Sequence, residues 1–397
     1  MRTLALMAFF LTATPALSQD YSAEIAATGL TATEARLSAL PSPTDVDRFA
    51  LGGVRFLRTV EVTLQQRWAM NLNDPAGMIP FLRLPMGDNP APAPFDPAAI
   101  ADLFRGMVAG METARAPLDQ IAGAEDFSVD IALSDLWFDV NANATRDDGE
   151  DLLSIAGPMI LGWRWMDRDP ATPAPVIRFD AADAAWLSAY THLLAGIGET
   201  LLAYDPTSAI TAVATSHEQF AGLRDTPVDT TEYYGMVEGI DAAYVILTAL
   251  NQQPDAPRAI AARDHFLAMI TQNRTFWTRV AAETDNDREW LPNDRQQSAL
   301  GIDIPRGTGQ VWQSVLADAE RILNGDLLVP HWRLDSAAGI DVGKMFTDPA
   351  PIDLAGWIQG TDALPYMRKG PLATAESWGM FSQLMQGEAM LMTVFLN

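Results

Sequence analysis

The 397-residue chain has no cysteine, two lysines (Lys344 and Lys369) and four histidines. Without a thiol there is no disulfide framework, no thiolate nucleophile and no cysteine-ligated metal. His192, His217, His265 and His331 include no close pair of the kind that zinc sites on a single helix use, so the sequence gives no support to a metallohydrolase. No GxSxG elbow is present, and Gly307-Thr308-Gly309 is too short to cradle a phosphate. Basic charge is also scarce. Asp and Glu number 51 against 26 Lys and Arg, a net charge of −25, and long-range repulsion opposes nucleic acid or an anionic membrane as partner. Cations and neutral ligands are favoured. No segment beyond the N-terminal region reaches membrane-spanning length without a charge or a proline, so no stable membrane insertion is expected after signal cleavage.

What is present begins with an export signal. Arg2 supplies a positive start, Leu4 to Leu11 is apolar, and Ala16-Leu17-Ser18 offers small residues before a cut. Residues 1–18 therefore read as a signal peptide, and a cysteine-free product suits a bacterial periplasm. Residues 19–397 are long enough to bury a self-sufficient core, arranged as one or two domains, with a possible boundary near 167–178.

Apolar residues recur mostly at helical spacing. Phe49, Val54, Leu57, Val60, Leu64 and Trp68 form one stripe, and Ile100, Leu103, Phe104, Met107 and Met111 form another after Pro97. Trp186, Tyr190, Leu193, Leu194, Ile197 and Leu201 mark the clearest helix, over 180–204, with Asp180 as its cap. Further helices are expected over 232–250, 257–283, 309–324, 353–360 and 373–396. The seven prolines between Asn71 and Pro97 exclude regular structure there, and Gly157-Pro158 should interrupt the chain after 151–156. Strand-like alternation is scarce. The expected fold is mostly α, a multi-helix globular protein with long irregular Pro-rich loops.

The segment with readable chemistry is Asp139 to Glu150, DVNANATRDDGE. Asp139, Asn141 and Asn143 place oxygens at positions one, three and five, the Thr145 carbonyl falls at seven, Asp147 at nine and Glu150 at twelve. Calcium takes six to eight oxygens, and this spacing lets alternate side chains converge while the last Glu supplies two. Asp139, Asp147 and Glu150 would repel one another without a cation. The twelve residues resemble the EF-hand and dockerin-type calcium loops. That resemblance implies calcium as the cofactor, held locally by these six residues, and implies nothing for the rest of the chain. Two positions depart from the family: Ala144 stands at position six in place of Gly, and Arg146 at position eight in place of an apolar residue. An isolated, inserted EF-hand-like loop with a structural ion fits better than a paired sensor.

A second acidic knot, Asp285-Asn286-Asp287-Arg288-Glu289, lacks a completed loop and reads as a turn after a helix. Trp163, Trp165, Trp290, Trp332, Trp357 and Trp378 could stack on sugar rings beside Asp287, Glu289, Asp353 or Asp362, although core packing is the default role of tryptophan. The sequence thus supports an exported calcium-binding helical protein with a non-enzymatic binding or scaffold role. The alternative is a periplasmic hydrolase or lyase acting on glycans. Whether the chain is an enzyme, and which protein or glycan it meets, stays open at this point.

Overall fold

A computed structural model describes residues 20–72, 84–121, 127–161, 169, 172–223, 234–334, 337–386 and 389–396. The longest helices are α1 (Tyr21–Ser38), α2 (Asp45–Met70), α3 (Ala99–Leu118), α5 (Ala181–Ala203), α6 (Thr207–Gly222), α7 (Tyr234–Leu250), α8 (Ala256–Ala282) and α9 (Thr308–Leu323), with α4 (Leu152–Leu161) between α3 and α5. Shorter helices α10 (Val342–Thr347), α11 (Leu354–Gln359), α12 (Glu376–Leu384) and α13 (Ala389–Leu396) close the chain. The mostly-α, multi-helix globular expectation holds. No helix among the described residues is long and apolar enough to cross a membrane.

Helix α5 lies at the centre because it is small or apolar around most of its circumference, which is the pattern of a helix packed on several sides. It buries Ala182, Ala184, Ala185, Leu187, Ala189, Leu194, Ala195 and Leu202, and packs against α8 on one side and α3 on another. Asp180 caps it reciprocally: its carboxylate accepts the Ala182 amide at 2.7 Å, and Asp183 accepts the Asp180 amide at 3.0 Å. Helix α2 starts in the same way, with Thr44 and Asp47 exchanging bonds. It ends at Asn71, in the left-handed region at φ 51°, whose side chain clamps Asn89 by two hydrogen bonds of 2.6 and 3.0 Å. The described part of the Pro-rich segment therefore folds back on α2. One apolar core runs from Tyr21 to Leu396 and draws on residues from both sides of 167–178.

Close helix approach makes some glycines obligatory. A Cβ on Gly110 of α3 would overlap Thr59 of α2, whereas one on Gly106, a turn earlier, would meet nothing within 4 Å. Gly110→Ala is expected to lower stability by about 1–3 kcal/mol through overpacking, and Gly106→Ala to raise it by about 0.5–1 kcal/mol through helix propensity. Thermal melts of the two variants should move in opposite directions, and equal shifts would contradict this packing.

Several boundaries differ from the sequence reading. The helix that carries the Phe49–Trp68 stripe, α2, is set off from α1 by Pro41 and Pro43. Helix α4 continues through Gly157-Pro158 to Leu161; Ser154, whose carbonyl loses the amide that Pro158 lacks, lies with Pro158 on the exposed side, where water can replace it. The expected helix over 373–396 is interrupted between Leu384 and Ala389. Helix α6 had no signal. It buries only Ala209 and so carries no apolar stripe to read.

Strands are few. β1 (Ser128–Ala132) pairs antiparallel with β2 (Val176–Asp180), Ser128 opposite Asp180. Near the C-terminus β3 (Val329–Pro330), β4 (Ala338–Ile340) and β5 (Met367–Lys369) form a three-stranded antiparallel sheet over a small cluster of Ile340, Ala363 and Tyr366.

Candidate functional site

The calcium-type loop grows out of a main-chain hairpin and not out of two helices. Phe138 donates to the Glu150 carbonyl at 2.9 Å and Leu152 to the Leu136 carbonyl at 2.9 Å, so residues 136–138 and 150–152 run antiparallel at the loop's base. The base is held by burial: Leu136, Trp137, Phe138, Val140, Leu152 and Leu153 are all in the interior. Trp137 packs on the kink of α1 at Gly29, where φ is 75°, and its indole N–H donates to the Ile25 carbonyl at 2.9 Å. Ser22 at the start of α1 donates to Asp135 at 2.6 Å. The twelve residues are thus a surface ring on a rigid stem.

Within the ring the six expected residues meet partly. Asp139 turns its carboxylate inward, accepting the Asn143 and Ala144 amides at 2.9 Å each. Asn141 Oδ1 accepts the Asn143 amide at 3.1 Å, and Asn143 Oδ1 accepts the Thr145 amide at 2.7 Å and its hydroxyl at 2.5 Å. A single oxygen of Asp147, Oδ2, receives the side-chain amides of both Asn141 (2.8 Å) and Asn143 (2.7 Å). Positions three, five and nine therefore converge on one point. Glu150, buried at the rear of the ring, accepts the Val140 and Asp147 amides at 2.8 Å each. Ala142 and Ala144 sit at φ 58° and 61°, a left-handed backbone that costs an L-residue about 1–2 kcal/mol. Arg146, at the family's apolar position, instead donates to the Ser134 carbonyl at 3.0 Å. Among the described residues no three His, Asp or Glu side chains are grouped closely enough to make a metal centre by themselves. The ring accordingly mixes asparagine side-chain amides with the carboxylates.

Two residues of α2 that the motif does not contain hold the ring in place. Glu61 Oε2 accepts the Asp139 amide at 2.9 Å, and Gln65 Nε2 donates to the Asp139 carbonyl at 2.7 Å. Glu61 is 1 % exposed and also binds Arg58. Burial pushes its carboxyl above the usual carboxylate range against the opposing pull of the Asp139 amide and Arg58. A signal for it existed: Glu61 lies four residues after Leu57 and three before Leu64, a charge on the apolar face of its helix.

The second acidic knot ties the end of α8 to the β1–β2 pair. Arg178 on β2 reaches Asp285 at 3.2 Å and Asp287 at 3.7 Å, and Arg288 reaches Asp130 on β1 at 3.1 Å. Behind these exposed pairs lie Asp180, Asp183, Glu283 and Glu289. Burial raises the pKa of each, and the neighbouring carboxylates raise them further. Glu283 is pushed up to about 7. The tryptophans are spread over separate clusters. Trp290 packs with Phe179 and Trp186, Trp357 stacks on Tyr366, Trp378 meets Phe381, and Trp332 is exposed under Arg333. Trp163 and Trp165 lie outside the described residues.

Sequence reasoning missed one further cluster. His192 on α5 and His265 on α8 face each other with Nδ1 atoms 2.9 Å apart. Burial and then the charge of Arg115 on α3 depress both, His192 to about 3. Residues 73 positions apart on different helices leave no local signal. No family model, curated protein or solved structure matches the chain.

Proposed function

We propose that residues 139–150 bind one calcium ion that locks the hairpin ring against α2, in an exported, periplasmic helical protein whose role is binding or scaffolding. The observation that carries this reading is the meeting of Asn141 and Asn143 on Asp147 Oδ2, beside the inward carboxylate of Asp139. An amide turned over about its last bond exchanges nitrogen for oxygen at nearly the same place. Turning both asparagines aims two carbonyl oxygens where two N–H groups now point, at the cost of the Oδ1 bonds to the Asn143 and Thr145 amides, which the ion's attraction must outweigh. Carboxylate oxygens that accept one main-chain amide keep further lone pairs, so Glu150 and Asp139 retain capacity for a cation. The two alanines at positive φ are strained positions held by the surrounding ring, and ion binding is one source of the free energy that sustains them.

The ion would be structural, because the stem is already closed by main-chain bonds and apolar burial. Calcium at about 100 times its Kd stabilises the native chain by roughly 2.7 kcal/mol, which raises the melting temperature by a few degrees. Asp139→Ala should remove that gain while leaving the melt in chelator within about a degree of wild type. Identical wild-type melts in calcium and in chelator would defeat the proposal.

A further inference from the structure

Helices α6 and α7 form an arm that packs chiefly on itself. Its root is fixed where α5 ends and α8 begins: the Asp255 amide donates to the Ala203 carbonyl at 2.9 Å, and Gln252 Nε2 donates to the Asp205 carbonyl at 2.7 Å. Further out, His217 on α6 meets Asp241 on α7 at 2.8 Å, which ties the two helices together side by side. The arm is therefore a built element, rooted at one end.

Its outer surface is the reverse of an ordinary solvent-facing helix. At about 100° per residue, the exposed Val237, Ile240, Ala243, Tyr244, Ile246 and Leu247 take up one continuous half of α7. Among the described side chains of α7 the charge is that of Asp241, which is turned toward α6. A helix facing only water carries its charges outward and its apolar residues inward. Four of the exposed residues, Val237, Ile240, Tyr244 and Leu247, follow one another at steps of three, four and three, which is the seam of a helix that packs on another helix.

That spacing reads the same in both directions. Turned end for end about the level of Ala242, Val237 meets Leu247 and Ile240 meets Tyr244, so the stripe is complementary to itself. From this symmetry we infer that the outer face of α7 receives α7 of a second copy of the chain, antiparallel about a two-fold axis.

Charge and area agree with this occupant. The net charge of −25 opposes self-association, but no described charge lies on the face. Antiparallel docking also puts the two roots at opposite ends of a helix about 25 Å long, more than twice the Debye length of about 10 Å at 0.1 M salt, so repulsion between the two bodies is largely screened. Parallel docking would bring the roots side by side. A helix pair of this length, widened by the exposed Phe220 and Leu223 at the arm's free end, covers on the order of 1,000 Å², where specific interfaces begin. A reversible dimer with a Kd of about 10 μM is the expected strength.

The test is sedimentation velocity of the full chain over about 1–200 μM at about 0.15 M salt, in chelator so that the calcium ring stays out of the readout. Wild type should pass reversibly from the mass of one chain to that of two. Ile240→Glu should stay at one chain with an unchanged melt in dilute solution, while Leu354→Glu, on an exposed apolar site elsewhere, still pairs. Because the chain has no cysteine, introduced thiols report the register: a mixture of Val237→Cys and Leu247→Cys chains should form the mixed disulfide several times faster than either variant forms its own. A wild type that remains a single chain throughout overturns the inference, and so does one that instead floats with phosphatidylcholine vesicles through Ile240, which would give the face to lipid. Disulfides between like variants outpacing the mixed product would overturn the antiparallel pairing.

Discussion

Glu61→Ala is expected to destabilise the protein by about 3 kcal/mol and, if the 139–150 ring binds calcium as proposed, to weaken that binding by roughly tenfold, although Glu61 is not among the proposed ligands. The carboxylate joins three things: the Asp139 amide at the first ligand position, the guanidinium of Arg58, and the apolar face of α2. Removing it leaves a buried amide without an acceptor and Arg58 with only Glu34, at 3.8 Å. Glu61→Gln keeps the volume but must turn its NH₂ toward one of two donors, so it should still cost about 1–3 kcal/mol. Arg58→Ala should be milder, because Glu61 then takes up a proton and still accepts the Asp139 amide. Chemical denaturation in chelator measures the first effect, and the calcium affinity of the folded variants measures the second. Wild-type calcium affinity in Glu61→Gln would mean that α2 does not position the loop.

The second large effect is a stability that falls as pH rises. Asp183 is fully buried at the start of α5, and burial followed by the charge of Asp180 holds its pKa well above the ordinary value; Glu283 at the end of α8 is pushed up to about 7, first by burial. For carboxyls whose folded pKa exceeds the unfolded one, the native state holds protons that the unfolded chain has released. Their stabilisation is complete below about pH 4 and is lost as pH climbs through the folded values. One such proton is worth about 1.4 kcal/mol per pH unit, and less for the half-exposed Glu283 because solvent screens it. Wild type is therefore expected to lose stability as pH rises from 5 to 7. Asp183→Asn keeps an acceptor for the Asp180 amide and removes the titration. Its melting temperature should exceed that of wild type at pH 8 and match it near pH 4.5. Parallel pH profiles for the two proteins would show that Asp183 does not carry the dependence.

Most of the fold was legible where a helix buries one stripe or is capped by its own side chains. α5 announced itself through Asp180 and the run from Trp186 to Leu201, and its described span differs from the expected one by a residue at either end. α6 was invisible because a helix that buries one alanine has no periodicity to detect. The β1–β2 pairing joins segments nearly fifty residues apart, and nothing local to either reports the other. At the candidate site the loop spacing was readable, since it is a property of twelve consecutive residues. Its mounting was not. The hairpin stem depends on Trp137 meeting the kink at Gly29, and the clamp depends on Glu61 and Gln65, more than seventy residues earlier in the chain. Contacts of that range are set by packing, which the spacing of a motif cannot encode.

Isothermal calorimetry of calcium binding to the full chain, beside Asp139→Ala and Glu150→Ala, addresses the central claim most directly. One ion per chain in wild type, and none in either variant, is the expected result. Absence of heat in wild type, or an unchanged isotherm in both variants, would contradict the assignment of the 139–150 ring as the ion's seat.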